Sequence, residues 1–291
     1  MSERTLAALI VSCAMLMAGG RPAAAQTQPN SVQQPRPKLA PAALPNTPED
    51  ANAERELLNL ANESRQQQGV LPLRPDASLT DAARDHARLM VEGGTLSHQF
   101  AGEPPLLQRI AEAGSIRLDR AGENVAYNAT PQSTHDALMH SPPHRENLLD
   151  PGFNAAGIAA IWSNGRLYVV EDFGHELPAY SPQQTRQVVA RAIGGVRTEA
   201  GLFPLTEVAA SGLDNAVCSL SRETRLNPRP LNVAYPSRGV ITYTQSRPEV
   251  LPPAAERMLR GGGIRQFAVG ACYARDARFP TGTYWVAILL N

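Results

Sequence analysis

An excess of charge of either sign is missing from this sequence. Its 27 basic residues balance 27 acidic ones, so there is no basic face for phosphate to dock on, and nucleic acid is excluded as a partner. Membrane-spanning runs are missing too. The apolar run at the N-terminus, Leu6 to Met17, is broken by Ser12 and Cys13 and falls short of the about 20 residues that a spanning helix needs. Cysteine is scarce: Cys13, Cys218 and Cys272 are all there is in 291 residues, while 43% of the residues are hydrophobic, enough to fill real cores. Common hydrolase signatures are absent, with no Gly-x-Ser-x-Gly elbow and no His-Glu-x-x-His helix. Gly261-Gly262-Gly263 lacks the strand-to-helix setting and the lysine of a phosphate loop, and no histidine follows His175.

The N-terminus has the three parts of a secretory signal. Arg4 supplies the positive start, the run to Met17 the apolar centre, and Ala23-Ala24-Ala25 the small residues of a cleavage site after Ala25. The rival is a lipid-attachment box at Ile10-Val11-Ser12-Cys13, but Cys13 leaves too short an apolar region before it. The mature chain is therefore expected to be secreted or periplasmic, with no transmembrane anchor. Once residues 1–25 are removed, Cys218 and Cys272 remain as an even pair in an oxidising compartment. They read either as a disulfide or as two separate buried thiols. Residues 26–48 carry Pro29, Pro35, Pro37, Pro41, Pro45 and Pro48 and read as an extended spacer.

Folding is expected from Thr47 or Asp50 onward. Leu57, Leu60, Ala61 and Ser64 recur at helical spacing up to Gly69; Leu79, Ala82, Ala83, His86, Ala87 and Met90 do so between Ser78 or Thr80 and Gly93-Gly94. Further helices are expected over Pro105–Ala113 and Pro131–His140, with Pro142-Pro143 breaking the chain. The period then changes. Ala156–Ile161 and Leu167–Phe173 flank the turn signal Ser163-Asn164-Gly165, which predicts a β-hairpin. Helices followed by an antiparallel hairpin make an α+β layered domain over 49–177. A weaker echo follows over 180–291. Gln187–Gly201, Phe203-Pro204-Leu205 and the helix of Leu213, Ala216, Val217 and Leu220 come in the same order, and Phe267–Tyr273 and Tyr284–Leu290 close it as a second hairpin.

Four segments of the first domain stand out. They are Asn59–Arg65 with Leu71-Pro72-Leu73, then Leu96-Ser97-His98, then Gly122-Glu123-Asn124-Val125-Ala126, then Ser141–Leu149. In this order, with Gly157 in the closing hairpin, they resemble the CAP superfamily (cysteine-rich secretory proteins, antigen 5, plant pathogenesis-related proteins) in its short bacterial form. The resemblance implies a three-layer α-β-α sandwich, followed here by a smaller, degenerate α+β domain. It places the family's cavity histidines on His98 and His144 and its cavity acid on Glu123.

Two imidazoles and a carboxylate suit zinc or another divalent cation with one position left to water. Without metal, the same trio could be an acid/base group in which Glu123 orients a histidine. The sequence departs from the family where a second cavity glutamate is usual: Ser133–His140 contains only Asp136, and Leu138 stands where the family has tryptophan. Glu171 reads as a hairpin-edge residue, His86 as part of the second helix's face, and His175 as part of the exit loop. Arg145 and Asn147 read as a turn held by side-chain hydrogen bonds, or else as a polar rim. The expected function is an exported, non-enzymatic or weakly enzymatic protein that binds a divalent ion or small ligand in this cavity. The rivals are a metal-assisted hydrolase or peptidase with Glu123 as general base, and an envelope or adhesion module whose partner is another extracellular protein.

Overall fold

A helix start leaves backbone donors open, and Asp50 closes two of them by accepting from the N–H groups of Asn52 and Ala53. That start begins α1 (Ala51–Gln67), which is followed by β1 (Arg74–Pro75), α2 (Ala77–Gly93), α3 (Leu106–Ala113) and β2 (Leu118–Asn128). Then come α4 (Pro131–His140), α5 (Pro142–Leu149), β3 (Ala155–Ser163) and β4 (Arg166–Glu176). The computed structural model describes residues 49–223 and 226–291. The signal peptide, Cys13, the proline-rich spacer and Thr47 lie outside them. Asp76, not Ser78 or Thr80, caps α2 by accepting from the Leu79 N–H.

The first sheet has the order β1-β3-β4-β2, with β1 parallel to β3 and the other pairs antiparallel. Asn164 and Gly165 both take positive φ between β3 and β4, as a two-residue hairpin of this twist requires. Side chains alternate across the sheet. Ile158, Ala160 and Val169 pack on Ala53 and Leu57 of α1, while Ala159, Ile161 and Val170 pack on Ala83, Ala87 and Met90 of α2. The result is the expected α-β-α sandwich.

One strand gave no sequence signal, and one local reading needs correction. Gly122–Ala126 lies within a long strand, β2, which its weak alternation hid. Pro142 and Pro143 do not simply break the chain. They occupy the first turn of α5, where a missing N–H costs nothing and the fixed φ suits a helix. Arg145 and Asn147 therefore sit on a helix and not in a turn.

The remainder comprises α6 (Pro182–Glu199), β5 (Thr206–Glu207), α7 (Leu213–Arg222), α8 (Arg229–Ala234), β6 (Gly239–Gln245), α9 (Pro253–Leu259), β7 (Gln266–Ala274) and β8 (Thr283–Leu290). Its sheet order, β5-β7-β8-β6, with β5 parallel to β7, repeats the first sheet strand for strand. Packing devices repeat as well. A Cβ on Gly157 would lie 2.0 Å from the Thr80 nitrogen of α2, and one on Gly270 would lie 2.4 Å from Leu213 Cγ of α7; each glycine lets a helix start settle onto its sheet. The buried Arg65 donates to the carbonyls of Leu71, Leu148, Asp150 and Phe153. Its counterpart Arg197 donates to those of Phe203, Leu259 and Gly261. Cys218 of α7 and Cys272 of β7 form a disulfide with Cα atoms 5.1 Å apart.

Candidate functional site

Glu123 of β2 is paired across the sheet with Asp172 of β4, which in turn faces Gly157 of β3. This row lies on the α2 and α3 side, because Gly157 abuts α2. The space above the row is filled by charge. Arg109 of α3 forms ion pairs with Glu123 and, at 2.9 Å, with Glu103. His86 of α2 places Nδ1 2.6 Å from Glu103 and Nε2 2.7 Å from the Ser97 carbonyl oxygen. His98 comes in from outside, its Nδ1 2.8 Å from the second Glu123 oxygen. Its side chain is 60% exposed, whereas that of Glu123 is 5% exposed.

The electrostatics follow from burial. Burial alone would raise the Glu103 carboxyl, but hydrogen bonds from His86 and the Phe100 N–H, with the nearby cations, overcome it and hold the group below its ordinary value. Asp172 gets help only from the Arg109 charge. Both of its oxygens lack a hydrogen-bond partner, and burial, reinforced by the adjacent Glu123 charge, pushes its carboxyl well up.

His144 starts from α5, its Nδ1 2.8 Å from Ser141 Oγ. Burial and then the charge of His98 hold it below the ordinary imidazole value, so it is neutral at pH 7. The strand and helix that carry Glu123 and His144 are stitched together by the motif asparagines. Asn147 donates to the Glu123 carbonyl and to Asn124 Oδ1, and Asn124 donates to the His144 carbonyl. The structure thus joins His98 directly to Glu123, and puts His144 within electrostatic reach of His98 without a bond to either.

Other positions differ from the sequence reading. Glu171 is not at a hairpin edge: β4 is an inner strand, and Glu171 is fully buried on it with Asn124 its hydrogen-bond partner. His175 belongs to β4, bonded to Asp119, and Asp136 lies on the exposed face of α4. Glu103 and Arg109 gave no sequence signal, since a loop glutamate and a helical arginine six residues apart look like ordinary surface charge. Two surface clefts of about 660 and 570 Å³, beside α5 and at the end of α1, include none of His98, Glu123 and His144.

Glu171 gives a pH test. Desolvation raises its carboxyl from the ordinary 4.5 to about 7. The folded state therefore keeps this proton after the unfolded chain has lost it, and stability falls as pH rises from 4.5 to 7. Glu171→Gln should gain about 3 kcal/mol on the wild type between pH 4 and pH 8, read from urea unfolding at both pH values. An equal difference at both would mean that Glu171 ionises normally.

A resident divalent ion does not fit the donor set as arranged. Both Glu123 oxygens are engaged, one by the Arg109 guanidinium, whose charge opposes a cation at that carboxylate. Among the described residues, no three His, Cys, Asp or Glu side chains are grouped to hold a metal.

An α-β-α sandwich with a buried carboxylate holding an exposed imidazole at its sheet edge defines the class of domain. Residues 58–173 match the cysteine-rich secretory protein (CAP) family, so this part of the chain is a CAP domain. Two Bacillus subtilis (strain 168) proteins are similar: the uncharacterized protein YkwD, 30% identical over 151 residues, and the uncharacterized membrane protein YlbC, 28% identical over 122. The matches cover 49% and 42% of this chain but only 58% and 34% of those relatives' length. An extracellular SCP-domain protein from Bacillus anthracis shares 22% identity at a TM-score of 0.39, over 42% of this chain and 40% of its own.

Proposed function

We propose that this is an exported CAP-domain protein that binds a small polar ligand at the His98–Glu123 pair, without catalysis. The observation that carries the reading is the asymmetry of the pair: an exposed imidazole on a buried, ion-paired carboxylate. In the tautomer that donates Nδ1–H to Glu123, the ring turns a lone pair at Nε2 outward, where a ligand hydroxyl or amide can donate to it. His144, held below the ordinary imidazole value by burial, adds a second imidazole. Export is supported by the signal-like N-terminus and by a disulfide that suits an oxidising compartment. No helix among the described residues is long and apolar enough to cross a membrane. The hydrolase reading is weaker because Glu123, as a general base, would first have to release Arg109.

Titrations of the full mature chain with monosaccharides, amino acids and dipeptides, and separately with zinc alone, test this. A compound that binds should lose at least about tenfold in affinity, or 1.4 kcal/mol, in His98→Ala. Stoichiometric zinc binding that needs both His98 and His144 would replace the small-ligand reading with a metal centre.

A further inference from the structure

The second half carries no copy of this chemistry. Register places Thr242, Ala287 and Gly270 where the first sheet has Glu123, Asp172 and Gly157, and Leu220 stands on α7 where α2 has His86. Yet the second half reaches both elements that carry the buried charges. Arg275, which follows β7, donates to the carbonyls of Gly114 at 2.9 Å, Ala111 at 3.3 Å and Ile116 at 3.4 Å, at the C-terminal end of α3. Thr281, buried before β8, donates to the Leu118 carbonyl at 2.8 Å, where β2 begins. Arg117, between these two points, lies over the rings of Tyr273 and Tyr284 and donates to the Ser246 carbonyl.

We propose that the β7–β8 connection is a clamp for the site in the first half, with Arg275 and Thr281 as positioning residues for the His98–Glu123 pair. The physical need is specific. α3 has eight residues and no side-chain cap at its N-terminus, so it is too short to hold itself. A guanidinium on its last carbonyls satisfies open acceptors and opposes the helix dipole. Arg109 sits one turn back from that end. If α3 shifts, Arg109 leaves Glu123; if β2 shifts at Leu118, Glu123 moves from His98. The second half has thus lost the cavity chemistry while keeping the contacts that hold the first cavity in shape. The inference rests on His98–Glu123 being the binding pair, but its test requires no ligand.

The test is long-range ¹⁵N–¹H spectroscopy of the full chain at pH 8, which reads imidazole tautomers. The wild type should show His98 as the Nδ1–H form. Arg275→Ala/Thr281→Val should raise the Nε2–H form at least about threefold and speed amide exchange across α3 roughly tenfold, the loss expected for charge-assisted bonds. His140, whose Nδ1 faces the Asp136 carbonyl on α4, should not change and serves as the internal reference. An unchanged His98 tautomer overturns the proposal even if α3 exchanges faster, because the contacts would then be structural only. Should the double variant fail to fold, Thr281→Val alone is judged by the same criteria. A ligand titration that ignores His98 would sink the binding reading and leave the clamp standing.

Discussion

Replacing Arg109 with methionine should destabilise the protein by about 3–5 kcal/mol at pH 7, the cost of leaving buried charges without their partner. Arg109 is 6% exposed and ion-paired to both Glu103 and Glu123; without it, two carboxylates face each other across a space already shared with Asp172. The sign of the pH dependence separates this from a simple packing defect. Freed of Arg109, the two carboxylates lie close together with one cation fewer between them, so protonation relieves their repulsion and the variant should regain stability as pH falls. The wild type loses stability over the same range as Glu103, which is held low, takes up its proton. The gap should therefore narrow towards pH 4 in urea unfolding. Adding Glu103→Gln should recover part of the loss at pH 7. A deficit below about 1 kcal/mol at both pH values would mean that solvent reaches these charges.

Removing the disulfide as Cys218→Ser/Cys272→Ser should cost the second half about 4 kcal/mol on the chain-entropy model for a separation of 54 residues, with measured values tending lower. Loss on this scale is large beside a domain's total stability. Hydrogen exchange locates it: amides of α7, β7 and β8 should lose protection, while α1, α2 and β3, in a half that contains no cysteine, should keep theirs. α3 is the expected exception in the first half, since Arg275 stands three residues after Cys272 and holds its end. Equal protection of the second half with and without the bond would mean that its packing alone suffices.

How much of this could be read in advance depends on the range over which each interaction acts. The core face of α2 was legible, because Leu79, Ala83 and Met90 repeat at helical spacing and burial follows the repeat. The β3–β4 hairpin was legible because Asn164-Gly165 suits positive φ. β2 was not, since Asp119, Arg120 and Glu123 interrupt the apolar alternation that marks a strand. Glu171 failed for a related reason. A carboxylate is normally an edge residue, and only the strand order shows β4 to be an inner strand.

By itself, the sequence determined the layered α+β class, the order of helices before each hairpin, the echo of the first half in the second, and the family motifs that include His98, Glu123 and His144. These follow from side-chain periodicity and turn chemistry, which act between near neighbours in the chain. Tertiary structure alone decided what the motifs do. It set Arg109 on Glu123, buried both Asp172 oxygens without a hydrogen-bond partner, turned the outer face of His98 to solvent, and brought Arg275 and Thr281 back to residues more than 150 positions earlier. The reason is physical. A charge buried in a low-dielectric interior is governed by whatever lies within a few ångströms of it, and those neighbours are chosen by the packing of the sheet and its helices.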